Sequence, residues 1–403
     1  MTTNVSYVID VGTSSLKCGV STDNTPRVNV ATMVGRQMLQ TTSRSKNSST
    51  KQYKLSKGMF VGNDALENKE NLEISYPIVN GVVVDENNAR IVFERAVTDE
   101  LDIKNPEQNT IILTQAAGSP IKHTKFLLDY FLDELKFKVV IFLIVIFQGV
   151  YIAVQAYLTL VGSGYKTGLV LDSGAGVTHV VPYYESMILK GKRLDIAGAG
   201  ITKRLLELLQ KRGYSMNFSA DYQIAEQIKQ QFCFVAQSIK KEKKLTEETT
   251  YNDLRIKTSL GMMNLSDERF MAPEVLFDPS LVDMEVPGVG EMIWNCVQDQ
   301  SVDLRQSLFK NMILSGGTTK LVGVRTRIGL EYTQLSARKF GYEVAQKQVP
   351  KIIDNPNREA SVFIGAGMLA NVASQTTANF WLTSEDYHEL GSEKAIRKLL
   401  MTT

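Results

Sequence analysis

Two stretches of this 403-residue chain carry the same chemical design, VIDVGTSSLKCGV starting at Val8 and VLDSGAGVTHVVP starting at Val170. Each is an apolar run, an aspartate, a glycine-bearing turn and a second apolar run. Backbone N–H groups in such turns can cradle phosphate oxygens, because glycine puts no Cβ in the way. The candidates are Gly12, Thr13, Ser14 and Ser15 in the first turn, and Gly174, Ala175 and Gly176 in the second. Asp10 and Asp172 would repel a phosphate directly. They make sense with a Mg²⁺ between, since magnesium keeps several waters and takes few carboxylates. Lys17 can reach back to the phosphates as a point charge. A third turn, SGGTT at 315–319, adds Gly316, Gly317 and Thr318. A single Asp-x-Gly is weak and occurs by chance in many loops; the repeated unit with a third turn predicts a nucleotide phosphate site. The chain has no GxxxxGK[ST], so that site is not a P-loop.

The elements that must carry these turns are strands entering and leaving them, hence a hairpin at each repeat. A unit used twice predicts two related halves facing one another. Helical patterning covers Glu86–Asp99, Lys125–Leu135, Thr202–Lys211, Ala220–Ile239 and Gly290–Val297, which makes the chain α/β. Residues 37–58 are polar and read as an exposed loop insertion. Lys310–Gly317 reads as strand into turn, Ser361–Ala373 as strand, glycine and helix, and the Lys240–Lys244 charge run as a solvated helix end.

Composition excludes several classes. Hydrophobic residues make up 43% and charged residues 22%, which is ordinary for a globular protein. A formal net charge of +2 gives no electrostatic case for nucleic acid or an anionic membrane. Cys18, Cys233 and Cys296 stand far apart, so reduced thiols are expected, without disulfides or a zinc site. The opening MTTNVSYVID lacks the basic and apolar regions of a secretory signal.

With these residues in view, a resemblance can be named. VIDVGTSSLKCG, VGNDA at 61–65, YPIVNGVV at 76–83, LDSGAGVTHVVP and LSGGTT resemble the actin superfamily, which includes sugar kinases and heat-shock ATPases. QGVYIAVQAYLTL, QKRGYSMNFSADY, KLTEETT and ANFWLTSEDYHELG are similar to the actin-related subunits of the filament-branching complex. The resemblance implies two duplicated α/β lobes with mixed five-stranded sheets around a nucleotide cleft. The outer lobe would take 1–162, completed by 361–403, and the inner lobe 163–360. It implies ATP or ADP with Mg²⁺, pairing with actin-related protein 3, five smaller subunits, actin filaments and monomers, and a nucleation-promoting factor. A cytoplasmic, cytoskeletal setting follows, in cortical or cell-projection actin networks, with no nucleic acid and no membrane insertion.

By the same resemblance Asp10, Gln155 and Asp172 hold magnesium through water, and Gln155 with His179 orders an attacking water. Lys229, Gln230, Leu321 and Glu359 surround the ribose and base. Several of these positions depart from the family pattern. Ala175 replaces an Asp, Gln230 a Glu, Leu321 a Tyr, Glu359 a Lys, and Ala199-Gly200 an Arg-Asp pair. Each of the changes around the nucleotide costs about 1–3 kcal/mol, judged from base stacking and lost hydrogen bonds. Weakened Mg-ATP binding and, at most, slow hydrolysis are therefore expected. A stand-alone filament-forming actin and a small-molecule kinase are the alternatives, the kinase lacking a candidate catalytic carboxylate beyond Asp10 and Asp172.

One stretch fits none of this. Val139 to Phe147 is nine apolar residues long, followed by Gln148. A membrane span needs about 20. Deleting Val139–Gln148 leaves LKFKGVYIAVQ, which restores the family spacing. Valine codons begin GT and a glutamine codon is CAG, the boundary signals of an intron, and an AT-rich intron would translate into Phe, Ile, Leu and Val. Residues 139–148 therefore read as a translated intron, with a real hydrophobic insertion as the alternative.

Overall fold

The computed structural model describes residues 6–41, 52–69, 72–116, 119–142, 145–147, 150–152, 154–216, 221–373, 382–391 and 393–395. Two six-stranded mixed sheets organise the chain. The first is built from β1 (Ser6–Val11), β2 (Ser15–Val20), β3 (Val28–Ala31), β9 (Thr110–Leu113), β10 (Val139–Phe142) and β21 (Leu382–Thr383), in the order β21-β10-β9-β1-β2-β3. The second contains β13 (Gly168–Ser173), β14 (Thr178–Tyr184), β15 (Met187–Ile188), β16 (Lys192–Leu194), β19 (Met312–Ser315) and β20 (Ile352–Ile353). Its order is β15-β14-β13-β19-β20, and β16 also pairs with β14. The two sheets repeat one plan: an antiparallel hairpin (β1–β2, β13–β14) whose first strand also pairs in parallel with a later one (β9, β19). The parallel pairs are buried on both faces and read as continuous apolar runs, TIIL and MILS.

Smaller ribbons complete the strands. β4 (Val34–Thr41) lies between β5 (Gln52–Val61) and β6 (Leu72–Ser75). β7 (Ile78–Val79) pairs with β8 (Val82–Val83), β11 (Val145–Phe147) with β12 (Val150–Ile152), and β17 (Leu254–Thr258) with β18 (Gly261–Leu265).

Four readings of the sequence change here. The sheets have six strands, not five, because short segments such as β21 add at the edges. Residues 37–41 and 52–58 are strand rather than loop, since their hydrogen bonds go to each other across the β4–β5 ribbon. Residues 42–51, the centre of the expected insertion, lie outside the described residues. Ser361–Ala373 is helix throughout. It packs against helix Val154–Gly162, β1 and β2, so it is apolar all round and its periodicity does not show in the sequence. Glycines let the two helices close: a Cβ on Gly162 would sit 3.0 Å from the Ser361 carbonyl oxygen and 3.1 Å from the Gly365 nitrogen. The expected helix at Ala220–Ile239 divides into Tyr222–Phe232 and Ile239–Glu248, and Lys240–Lys244 falls in the second of these.

The apolar core is distributed as this plan requires. One large cluster lies around β13, β14, β19 and their helices and includes Leu171, Ile201, Ile293 and Tyr332. Another lies around β1, β2 and β9 and includes Ile9, Phe93, Phe131 and Val140. Arg327 is clamped by Glu274 at 2.8 Å, Glu331 at 2.7 Å and the Ala236 carbonyl at 2.6 Å. The pairing compensates the Arg327 charge beside the cluster around β13, β14 and β19. Cys18, Cys233 and Cys296 are all buried and free, and burial pushes the Cys233 and Cys296 thiols up to about 12.

His123, in helix Ile121–Leu128, is buried and accepts the Val83 N–H at its Nδ1 (3.2 Å), and its Nε2 has no partner among the described residues. Burial lowers its pKa to about 4. Below the unfolded value near 6.5 the unfolded chain takes up this proton first. The neutral imidazole thus contributes stability in full above about pH 6.5, and up to ~3 kcal/mol of it is lost as the pH falls towards 4. His123→Asn keeps an acceptor for Val83 and removes the titration. Thermal midpoints of wild type and variant are expected to converge on acidification, the wild type falling more steeply between pH 6.5 and 4; parallel curves would refute the assignment.

Candidate functional site: a cleft between the repeated turns

The repeated turns meet. A Cβ on Gly176 would lie 2.6 Å from Thr13 Oγ1 and 2.8 Å from the Asn80 Cα, so only glycine lets the second turn approach the first. The third turn joins them: Thr318 Oγ1 donates to the Gly174 carbonyl (2.6 Å) and Gly198 N–H to the same oxygen (3.1 Å). Gly316 has φ +84, a left-handed conformation that favours glycine, and its N–H donates to the Arg358 carbonyl at 3.2 Å.

Between the turns lies a cavity of about 540 Å³, within the size of small-molecule sites. Asp10, Gly12, Thr13, Ser14, Ser15, Lys17, Gln155, Asp172, Gly174, Ala175, Gly176, Lys229, Gln230, Gly316, Gly317, Thr318, Leu321 and Glu359 all line it. His179 does not: it is buried in β14, opposite Asp172 in the hairpin register. Of the two residues expected to order water, the structure brings only Gln155 to the cavity.

Hairpin register sets the charged centre. Asp10 faces Lys17 across β1 and β2, and Lys17 Nζ donates to Asp10 Oδ2 at 2.8 Å. The other carboxylate oxygen accepts from Thr114 Oγ1 (2.6 Å) and Gln155 Nε2 (3.2 Å). Burial pulls the Lys17 ammonium down, but Asp10, with Asp172 and Glu359 adding, raises it overall, so it stays charged. Asp172 is raised above the usual carboxylate range by burial, with Asp10 adding, against a hydrogen bond from Ser315 and the charge of Lys17. Two carboxylates and one lysine in a buried cleft leave a place for a further cation, which would favour ionised Asp172. Among the described residues no group of three or more His, Cys, Asp and Glu could cage a metal. That donor set fits magnesium, which takes one or two carboxylates and fills its shell with water and phosphate oxygens.

Beyond the turns the lining changes. Lys229 Nζ donates to Glu226 (2.6 Å), Thr202 Oγ1 (2.9 Å) and the Gly198 carbonyl (3.0 Å). Gln230 Nε2 donates to the other Glu226 oxygen at 2.8 Å. Glu359 does not reverse the local charge unopposed, because Lys320 forms an ion pair with it. Sequence reading missed Thr114, Glu226 and Lys320. Lys320 directly follows SGGTT and Glu226 stands one helical turn before Lys229, so both had a signal; Thr114 had none.

The actin family profile matches residues 1–400. The chain is similar to actin-related protein 2 of Saccharomyces cerevisiae, 35% identical over 390 residues that cover 95% of this chain and 96% of the relative. Actin-related protein 2 of Acanthamoeba castellanii is 34% identical over 397 residues, covering 97% of each chain. The protein of that name from Caenorhabditis briggsae is 34% identical over 399 residues, again covering 97% of each.

Proposed function

The chain belongs to the actin family, and from that premise we propose that it is a nucleotide-binding, actin-related subunit of a filament-branching assembly. The observation that carries this reading is near end-to-end similarity to relatives named actin-related protein 2, joined to a cleft where three glycine turns converge. The fold is the actin-like one, and among the described residues no helix is long and apolar enough to cross a membrane.

In this reading ATP is the ligand of the cleft. Gly12–Ser15 and Gly174–Gly176 supply N–H donors to its phosphates, and Lys17 supplies charge. A magnesium ion, held through water by Asp10, Asp172 and Gln155, would neutralise the phosphates when bound. Hydrogen bonds from Gln155 Nε2 to Asp10, the Val11 carbonyl and Thr114 fix this side chain and leave its amide oxygen to accept from a water, and the site serves mainly as a conformational ligand site. The outer lobe takes 1–162 and 361–403 and the inner lobe 163–360. Packing of helix Ser361–Ala373 on helix Val154–Gly162 and β1 supports that division. Lys69 lies over the Tyr222 ring at 5.8 Å, a contact between the β4–β5–β6 side and the helix that carries Glu226 and Lys229. Closing the lobes presents a surface that pairs with actin-related protein 3 and, with five smaller subunits, starts a daughter filament on the side of an existing one when an activator is bound.

Gentle affinity purification of the tagged chain from its own cells, followed by mass spectrometry, tests this. Recovery of actin-related protein 3 and five smaller subunits is the expected result. Recovery of actin alone, with pelleting of the pure protein in Mg-ATP, would replace the proposal by a stand-alone filament.

A further inference from the structure

Each aspartate of the cleft is held by a hydroxyl from the strand beside it, and the two arrangements are equivalent. In the first sheet β1 and β9 run parallel with Ile9 opposite Leu113, and the Thr114 N–H donates to the Ile9 carbonyl at 3.2 Å. The next residues along, Asp10 and Thr114, therefore stand side by side. In the second sheet β13 and β19 run parallel with Asp172 opposite Ser315. Thr114 Oγ1 donates to Asp10 Oδ1 at 2.6 Å, and Ser315 hydrogen-bonds Asp172. Both hydroxyl residues are fully buried. Their surroundings fix the direction of each bond. Thr114 Oγ1 also accepts the Val11 N–H (3.1 Å) and Gln155 Nε2 (3.3 Å), which fills its acceptor capacity and leaves its one proton for Asp10. Thr159 Oγ1 donates to Ser315 Oγ (3.0 Å), and Ser361 Oγ, 3.0 Å from Ser315 Oγ, donates to the Arg358 carbonyl (2.9 Å). With both neighbours committed, the Ser315 proton is left for Asp172.

We infer that Thr114 and Ser315 are positioning residues for the cation, a pair repeated along with the turns, each fixing the orientation of one carboxylate. This rests on the cleft being the magnesium-nucleotide site proposed above. Asp10 shows the principle. A carboxylate has about four acceptor positions. Oδ1 takes Thr114 and Gln155 and Oδ2 takes Lys17, so the open position is on Oδ2. Without the threonine hydroxyl, Oδ1 regains a position and the carboxylate is free to turn about its last torsion. Magnesium demands near-ideal octahedral geometry, whereas calcium accepts about six to eight oxygens in a flexible one. Loss of either hydroxyl therefore costs magnesium more than calcium. Hydrogen-bond partners of metal-holding side chains are typically worth about 10–100-fold in metal affinity. Thr114 is not part of the cavity lining, so its effect on a ligand passes through Asp10 and Gln155.

The test is calorimetric binding of ATP, with Mg²⁺ and separately with Ca²⁺, to the full purified chain and to Thr114→Val, Thr114→Ser and Ser315→Ala. The valine and alanine variants are each expected to weaken ATP binding about tenfold or more in Mg²⁺ and to shift the Mg-to-Ca affinity ratio at least threefold towards calcium. Thr114→Ser keeps the hydroxyl and is expected to stay within about threefold of the wild type in both cations. Thr114→Val also leaves the Val11 N–H without its acceptor, so it is expected to melt earlier. Ser315→Ala strands no backbone group, and Thr159 and Ser361 keep their contact at 3.1 Å, so it carries the test if the valine variant does not fold. Equal weakening in both cations, a shift in only one of two folded variants, or no rescue by serine overturns the inference while leaving a nucleotide site in place. A wild-type chain that binds ATP with neither cation removes the nucleotide reading itself.

Discussion

A chain lacking Val139–Gln148 is expected to fold with its first sheet intact, to retain nucleotide binding and to stay monodisperse where the full chain self-associates. The structure supplies the geometry. β10 fills the place between β9 and β21, with Val139 opposite Thr110 and Thr383, and Val140 opposite Ile111 and Leu382. Phe142 lies opposite Leu113. When the block is removed, Lys138 is followed by Gly149. Gly149, Val150, Tyr151 and Ile152 then fall in the register of Val139, Val140, Ile141 and Phe142. Val140 is fully buried, and Val150 would supply the same side chain at that point.

Thr114 follows Leu113, and Gln155 Nε2 already lies 3.3 Å from Thr114 Oγ1. The end of the strand and the start of helix Val154–Gly162 are therefore neighbours. The block instead extends the chain into the β11–β12 ribbon, which pairs with no third strand among the described residues. A two-stranded ribbon is marginal in water, and an apolar one invites edge pairing. Size-exclusion chromatography and calorimetry of the deleted chain decide the matter. A chain that fails to fold, or loses nucleotide, would make the block a working part of the sheet. Peptides from the native source give an independent answer: one reading across Lys138 into GVYIAVQ means the block is not made.

Replacing Lys17 by Met is expected to weaken Mg-nucleotide binding at least a hundredfold and to destabilise the ligand-free chain. Asp10 is 2% exposed, and Lys17 is its cationic partner. Removing one member of a buried pair leaves the other charge uncompensated, at a cost of about 3–5 kcal/mol. Hydrogen bonds from Thr114 and Gln155 remain and keep the cost towards the lower figure. Because Lys17 is raised above its usual value, the pair does not titrate from the lysine side near neutral pH. The double variant Asp10→Asn with Lys17→Met isolates the stability effect, since it also removes the Asp10 carboxylate proposed to hold magnesium. It removes both charges, so thermal stability should largely return while nucleotide affinity stays low. If affinity returned as well, Lys17 would be a structural residue only.

The parts of the site that the sequence made legible are local ones. An aspartate at the end of an apolar run, followed by a glycine turn and a second apolar run, specifies a hairpin. The pairing of Asp10 with Lys17 follows from that hairpin's own register. The convergence of three turns was legible because the motif is repeated. The helix Ser361–Ala373 was misread in its first half, since burial on several sides removes the amphipathic period on which such reading depends. The β4 and β5 strands were missed because they satisfy each other in a polar ribbon, without the alternation that a buried face would impose.

By itself, then, the sequence determined which residues sit at each turn and which strands enter and leave it, because backbone preference and near-neighbour register act over a few residues. Only the tertiary structure decided that Thr114 would hold Asp10, that Glu226 and the Gly198 carbonyl would occupy Lys229, that Lys320 would answer Glu359, and that His179 would stand outside the cavity lining. Such contacts join segments set by the packing of separate sheets and helices, and no local propensity of either partner encodes the distance between them.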